Sequence, residues 1–106
     1  MPENWSADVR RYVPYPDQAA INGLVEYLGA GLKTRQETRV SCGDLAERER
    51  IRDKFLRQTL GIGDHVSLLD RAIIAACDRM KDDAYKSRVT FYYLLAEKYG
   101  KLALFH

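Results

Sequence analysis

Apolar residues recur every three to four positions along most of this chain, the spacing of one buried face on an α-helix. Trp5, Val9, Tyr12 and Val13 fit a short first helix over residues 5–13. The stretch Pro14-Tyr15-Pro16 ends it, because proline keeps the residue before it out of the α region. Asp17 is placed to cap a second helix over 17–30, with Ile21, Leu24, Val25, Leu28 and Leu32 on its packed face. Gly29 and Gly31 supply the permissive backbone that a helix end uses. Residues 33–43, rich in Lys, Arg, Thr and Gln, read as a polar connection. Asp44 opens a third helix over 44–60, with Gly61 in the left-handed position after it and Ile62 folding back onto Leu56. Asp64 or Ser67 caps a fourth helix that runs to about Lys81. Its core stripe is Val66, Leu69, Ile73, Ala76, Cys77 and Met80.

The fifth helix begins between Asp83 and Ser87, ends at Gly100 and is followed by an apolar tail, Leu102-Ala103-Leu104-Phe105. Wound at about 100° per residue, it spreads Val89, Phe91, Tyr92, Tyr93, Leu95, Ala96 and Tyr99 over a broad arc. Only Lys86, Thr90 and Glu97 mark a polar side. A helix that is apolar around most of its circumference is a surrounded one. The pattern therefore predicts an all-α fold, a compact bundle of about five helices in a single domain over 1–106, with the C-terminal helix central. The tail is expected either to dock on its own core or to cover a protein partner or a second copy.

Composition adds limits. At 106 residues, 46% hydrophobic and 30% charged, the chain has an ordinary globular balance. A net charge of +2 is too small to announce a polyanion partner. Residues 33–57 and 79–106 are net basic and residues 1–32 and 58–78 net acidic, so the blocks attract one another within one compact fold. No apolar run is long enough to span a bilayer, and Met1-Pro2-Glu3-Asn4-Trp5 has no signal-peptide character. Two cysteines in such a chain read as reduced thiols, and the expected location is cytoplasmic.

Candidate chemistry is sparse. Cys42, Cys77, His65 and His106 share no metal-ligand spacing, so neither a metal nor a cofactor is expected. His65, in the first turn of the fourth helix, reads as a solvated or capping residue. Gly29-Ala30-Gly31 and Gly61-Ile62-Gly63 sit where glycines end helices and do not continue into a phosphate-binding motif. Cys42 lies just before the helix opened by Asp44, where the helix dipole lowers a thiol pKa. It is the candidate reactive thiol. Cys77 reads as a small buried hydrophobe. The basic run Arg48, Arg50, Arg52, Lys54 and Arg57 suggests nucleic acid, but Glu47 with Arg50, Glu49 with Arg52 and Asp53 with Arg57 are spaced to pair along the helix. No aromatic side chains interleave with these charges to stack on bases. Three charges fall on apolar arcs: Arg52 on the third helix, Asp70 on the fourth and Arg88 on the fifth. Buried charges demand partners, so these three are expected to converge as an internal ion pair or a small anion site, unless the arginines lay only their stems on the core and reach water with their heads.

With these segments in view, the chain resembles an uncharacterised bacterial family, domain of unknown function 2853. The resemblance is carried by Gly23-Leu24-Val25-Glu26-Tyr27-Leu28-Gly29, by Val40-Ser41-Cys42-Gly43-Asp44 and above all by the run from Ser87 to Gly100. It covers about residues 8 to 104 and implies a bacterial single-domain protein, with no activity, cofactor or catalytic residue attached. The expected function is a non-enzymatic helical interaction or structural module. Nucleic-acid binding through 33–57 and a thiol-dependent enzyme or redox sensor using Cys42 stand as alternatives.

Overall fold

Short polar side chains set where the helices begin. The computed structural model describes residues 4–32 and 38–106. Asn4 accepts the Ala7 N–H at 3.0 Å and opens α1 (Trp5–Arg10). Asp17 accepts from Ala20 at 3.1 Å and opens α2 (Gln18–Leu28). Asp44 accepts from Ala46 and Glu47 and opens α3 (Leu45–Arg50). These last two caps are the expected ones. The cap of α4 (Val66–Arg79) is neither Asp64 nor Ser67 but His65, whose Nδ1 accepts the Ser67 N–H at 3.2 Å. A neutral imidazole can do this because Nδ1 lies as many bonds from the backbone as an aspartate oxygen. Finally, α5 (Arg88–Lys98) has no side-chain cap; the Arg88 N–H is taken by the Thr38 carbonyl at 2.8 Å.

The third helix holds a change of pitch. From α3 the chain passes without a break into a π-wound segment, Ile51–Thr59. Leu60 N–H reaches back five residues to Phe55 O at 2.8 Å, and Ile62 N–H reaches Leu56 O at 2.9 Å. Gly61 makes this closure with φ +71°, the left-handed backbone that a side chain would strain. The fold-back of Ile62 onto Leu56 is thus present, across a wider ring than an α-helix would give.

Among the described residues five helices pack together, and α5 contacts α1, α2 and α4. Every residue from Val89 to Ala96 is buried, as the broad apolar arc required. Thr90, which the helical projection put on the polar side, is fully buried as well. Its hydroxyl donates to the Asp8 carboxylate, because α1 crosses that side and brings an acceptor with it. The Tyr93 hydroxyl accepts the Asp17 N–H at 2.8 Å and so fixes the start of α2 against α5. No helix among the described residues is long and apolar enough to cross a membrane.

The expected polar linker is partly buried, and the tail takes one of its two expected courses. Residues 33–37 of the expected linker lie outside the described residues, but Thr38 and Val40 are buried. Arg39 pairs with Ser87 in an antiparallel bridge, and Val40 N–H bonds Lys86 O at 2.8 Å. Cys42 is then disulfide-bonded to Cys77 of α4, across 6.0 Å between their Cα atoms. The expectation of two free thiols, with Cys42 the candidate reactive one, is corrected by this bond: helical spacing placed Cys77 on the core stripe without revealing that the segment before α3 brings Cys42 to it.

The tail docks on its own core. Leu102–Phe105 forms a 3₁₀ turn against α2, with Phe105 buried between the rings of Tyr27 and Phe55 at centroid distances of 5.8 and 6.0 Å. The His106 ring hydrogen-bonds the Asp17 carboxylate. Contact with α2 is close enough that a Cβ on Gly23 would lie 1.7 Å from the Phe105 carbonyl oxygen. Gly23→Ala is therefore expected to lift the tail and cost about 1–3 kcal/mol, the range for overpacking. In that background Phe105→Ala should cost much less than it does alone, because the two changes act on one contact. Urea melts of the single and double variants check this; full additivity would rule the contact out.

A charged cleft between α2, α3 and α5

The first turns of α3 bring Glu47 inward and leave Arg50 near the surface. Glu47 is only 6% exposed, and a buried carboxylate needs cations and donors. It has two. The Arg88 guanidinium bonds one oxygen, and Arg50 Nη2 bonds the other at 2.8 Å. Arg88 is held in turn by Arg39 O at 3.0 Å and Tyr92 OH at 3.4 Å, and lies over the Tyr92 ring. Burial opposes the Arg88 charge, yet Tyr92 and the Glu47 carboxylate beside it keep its pKa above the ordinary arginine value. Burial pushes the Tyr92 phenol up as well. The Arg88–Glu47 pair forms one wall of a cleft of about 520 Å³. Tyr27 and Leu28 from α2 line another side, and Arg50 and Lys54 reach it from the third helix. Tyr27 is fixed by Thr59, whose hydroxyl lies 2.8 Å from its own.

Of the three charges expected to converge, the structure joins two. Arg52 meets Asp70 at 3.3 Å and is also held by Asp53, with Nε–Oδ1 2.8 Å and Nη2–Oδ2 3.1 Å. The Asp53 hydrogen bond is the main cause of the raised Arg52 pKa. Asp70 is half exposed, so this is a surface-side clamp between the third and fourth helices. Arg88 stands elsewhere, paired with Glu47. Sequence reasoning missed Glu47 as a buried acid, having placed it only as the partner of Arg50, a pair that does form. Arg57 with Asp53 also forms, at 4.0 Å. Much of the basic run is thus matched by acids along its own helix and its neighbour. Cys42, the candidate thiol, carries a disulfide rather than a free sulfur.

A second polar cluster holds α1 to the turn before α5. Asp83 accepts from Arg11 at 2.6 Å and from the Tyr12 hydroxyl, while Arg79 bonds Tyr12 O at 2.9 Å. The Arg11 hydrogen bond holds the Asp83 carboxyl below its usual range. Burial first, then the bond to Asp83, pushes the Tyr12 phenol up to about 12. The two shifts act at opposite ends of the pH scale. Asp83 contributes stability above the ordinary carboxylate pKa, lost as pH falls through its lowered value; Tyr12 contributes below about 10 and loses it as pH rises towards 12. Thermal melts should therefore show an alkaline loss of stability that Tyr12→Phe flattens. Parallel curves for the two proteins above about pH 10 would exclude the Tyr12 contribution.

Fold and cleft together define a small all-helical protein with a charged surface cleft and a helix–linker disulfide. The chain belongs to the family described as "Protein of unknown function (DUF2853)", whose model matches residues 4–103. No curated protein matches it significantly.

Proposed function

We propose that the protein is a non-enzymatic binding module whose working surface is the cleft between α2, α3 and α5. The buried Arg88–Glu47 pair in the cleft wall carries this reading. A buried ion pair stabilises a fold no better than well-packed apolar residues would. Its place beside an opening therefore favours recognition over stability. The groups around it are a matched ion pair, two further cations and two phenols, which orient a bound group rather than attack it. The volume of about 520 Å³ lies in the range of small-molecule sites.

A cytoplasmic setting belongs to the same proposal, and the disulfide bears on it. Such bonds persist in oxidising compartments and are rare in the cytosol, so the Cys42–Cys77 bond weighs against that setting, and finding it intact in cells would remove this part of the proposal. Alkylation of intact cells before lysis distinguishes the two states.

The cleft itself is tested by recording amide shifts of the isotope-labelled full chain against a set of small charged and neutral fragments. Shifts should gather at Tyr27, Glu47, Lys54 and Tyr92. If binders instead gather along the α4–α5 groove lined by Ala72, Ala75 and Lys98, the cleft is the wrong surface.

A further inference from the structure

Building on that reading, we infer that the cleft takes a small organic anion, a carboxylate or phosphate carried on an apolar ring. The charges lining it give the sign. Among the described residues, Arg50, Lys54 and Arg88 line the cleft with one acid, Glu47, which already accepts from two of them. Glu47 is thereby neutralised, and the surplus charge at the rim is positive. Arg50 and Lys54 stand four positions apart along one helix, both on the cleft side, and like charges at that spacing repel. An anion between them replaces repulsion with two charge-assisted contacts. A metal ion is disfavoured by the same inventory, since one carboxylate bound to two guanidiniums leaves little to offer a cation.

The remaining lining gives the shape of the ligand. Tyr27 is 45% exposed and presents an aromatic surface; Leu28 adds an aliphatic one. Behind them Phe55 and Tyr92 pack with ring centroids 4.2 Å apart and hold that side rigid. A bare inorganic ion would leave this surface wet, whereas a ring would cover it and gain from burial. A volume of about 520 Å³ suits a compact molecule better than a polymer.

Calorimetric titration of the disulfide-intact full chain with phenylacetate, phenyl phosphate, benzyl alcohol and inorganic phosphate tests this. Either aromatic anion should bind, with affinity falling as salt is raised. Benzyl alcohol, which shares the ring but not the charge, should bind at least about tenfold more weakly, the scale of one charged hydrogen bond. Lys54→Glu and Arg50→Glu should each weaken the anion by at least about tenfold. Both side chains are exposed, and a circular-dichroism melt verifies that each variant folds. Three results would overturn the inference: benzyl alcohol matching the anions at the cleft, inorganic phosphate matching phenyl phosphate, or the two charge reversals leaving affinity unchanged in folded protein. In each of these the binding cleft itself survives as long as probe-induced amide shifts still gather at Tyr27 and Tyr92. Absence of any probe-induced shift at the cleft removes the underlying reading as well, so the two failures are distinguishable.

Discussion

Arg88→Leu is expected to destabilise the protein by about 3–5 kcal/mol, the cost of removing one partner from a buried ion pair. The loss comes from Glu47 more than from Arg88. With the guanidinium gone, a carboxylate that is 6% exposed keeps, among the described residues, only Arg50, whose side chain is 61% exposed to water. Arg39 O and Tyr92 OH lose a donor at the same time. For a domain of about this size, such a loss lowers the melting temperature by more than about 10 °C. Adding Glu47→Gln should restore part of it, because a buried amide does not require a countercharge. Thermal melts of the three proteins decide the matter; an unaltered melting temperature for Arg88→Leu would remove the pair from the list of structural contacts.

Reduction of the Cys42–Cys77 bond is expected to have a comparable effect. The two residues are 35 apart in sequence, and a cross-link closing a loop of that length restricts the unfolded chain by about 4 kcal/mol in the loop-entropy model. There is a local component too. Cys42 lies two residues before Asp44, the cap of α3, and Glu47 lies in the first turn beyond. Freeing Cys42 releases the end of the helix that presents Glu47 to Arg88. Oxidised protein should melt well above protein treated with a dithiol reductant, whereas Cys42→Ser/Cys77→Ser should melt low and ignore the reductant. Equal melting in both redox states would contradict the role given to the bond. Hydrogen exchange should show the added opening concentrated at residues 44–50 rather than spread over α5.

Much of this fold was legible in the apolar spacing, because helices bury stripes and α5 is apolar almost all round. Asp17 and Asp44 could be read as caps since short acids at those places satisfy free amides by local geometry alone. The pairing of Arg52 with Asp70 was also within reach, both residues lying on apolar arcs of adjacent helices. What escaped depended on changes of direction. Winding the third helix at a uniform 100° per residue cannot place Glu47 and Arg52 correctly on one projection, since the pitch changes between them at Ile51. That is why Arg88 was assigned the wrong acid. The disulfide escaped for a related reason: residues 38–42 are held beside the start of α5 by a backbone bridge from Arg39 to Ser87, and a bridge of that kind leaves no periodic trace. His65 as a cap was half visible: a capping role was among those expected of it, but it was placed in the first turn and the cap itself was assigned to Asp64 or Ser67.

The π-wound stretch Ile51–Thr59 has an implication for chain length. Each wide ring encloses one amino acid more than an ordinary helical ring, so this stretch stores slack that a deletion could take up. Removing one position there would let the segment rewind with a narrower bore, turning everything upstream relative to everything downstream. Glu47 and Arg50, upstream of the stretch, would then turn relative to Thr59 at its far end, the anchor of Tyr27, and a shortened chain would keep its helices while parting the charged wall of the opening from its aromatic one.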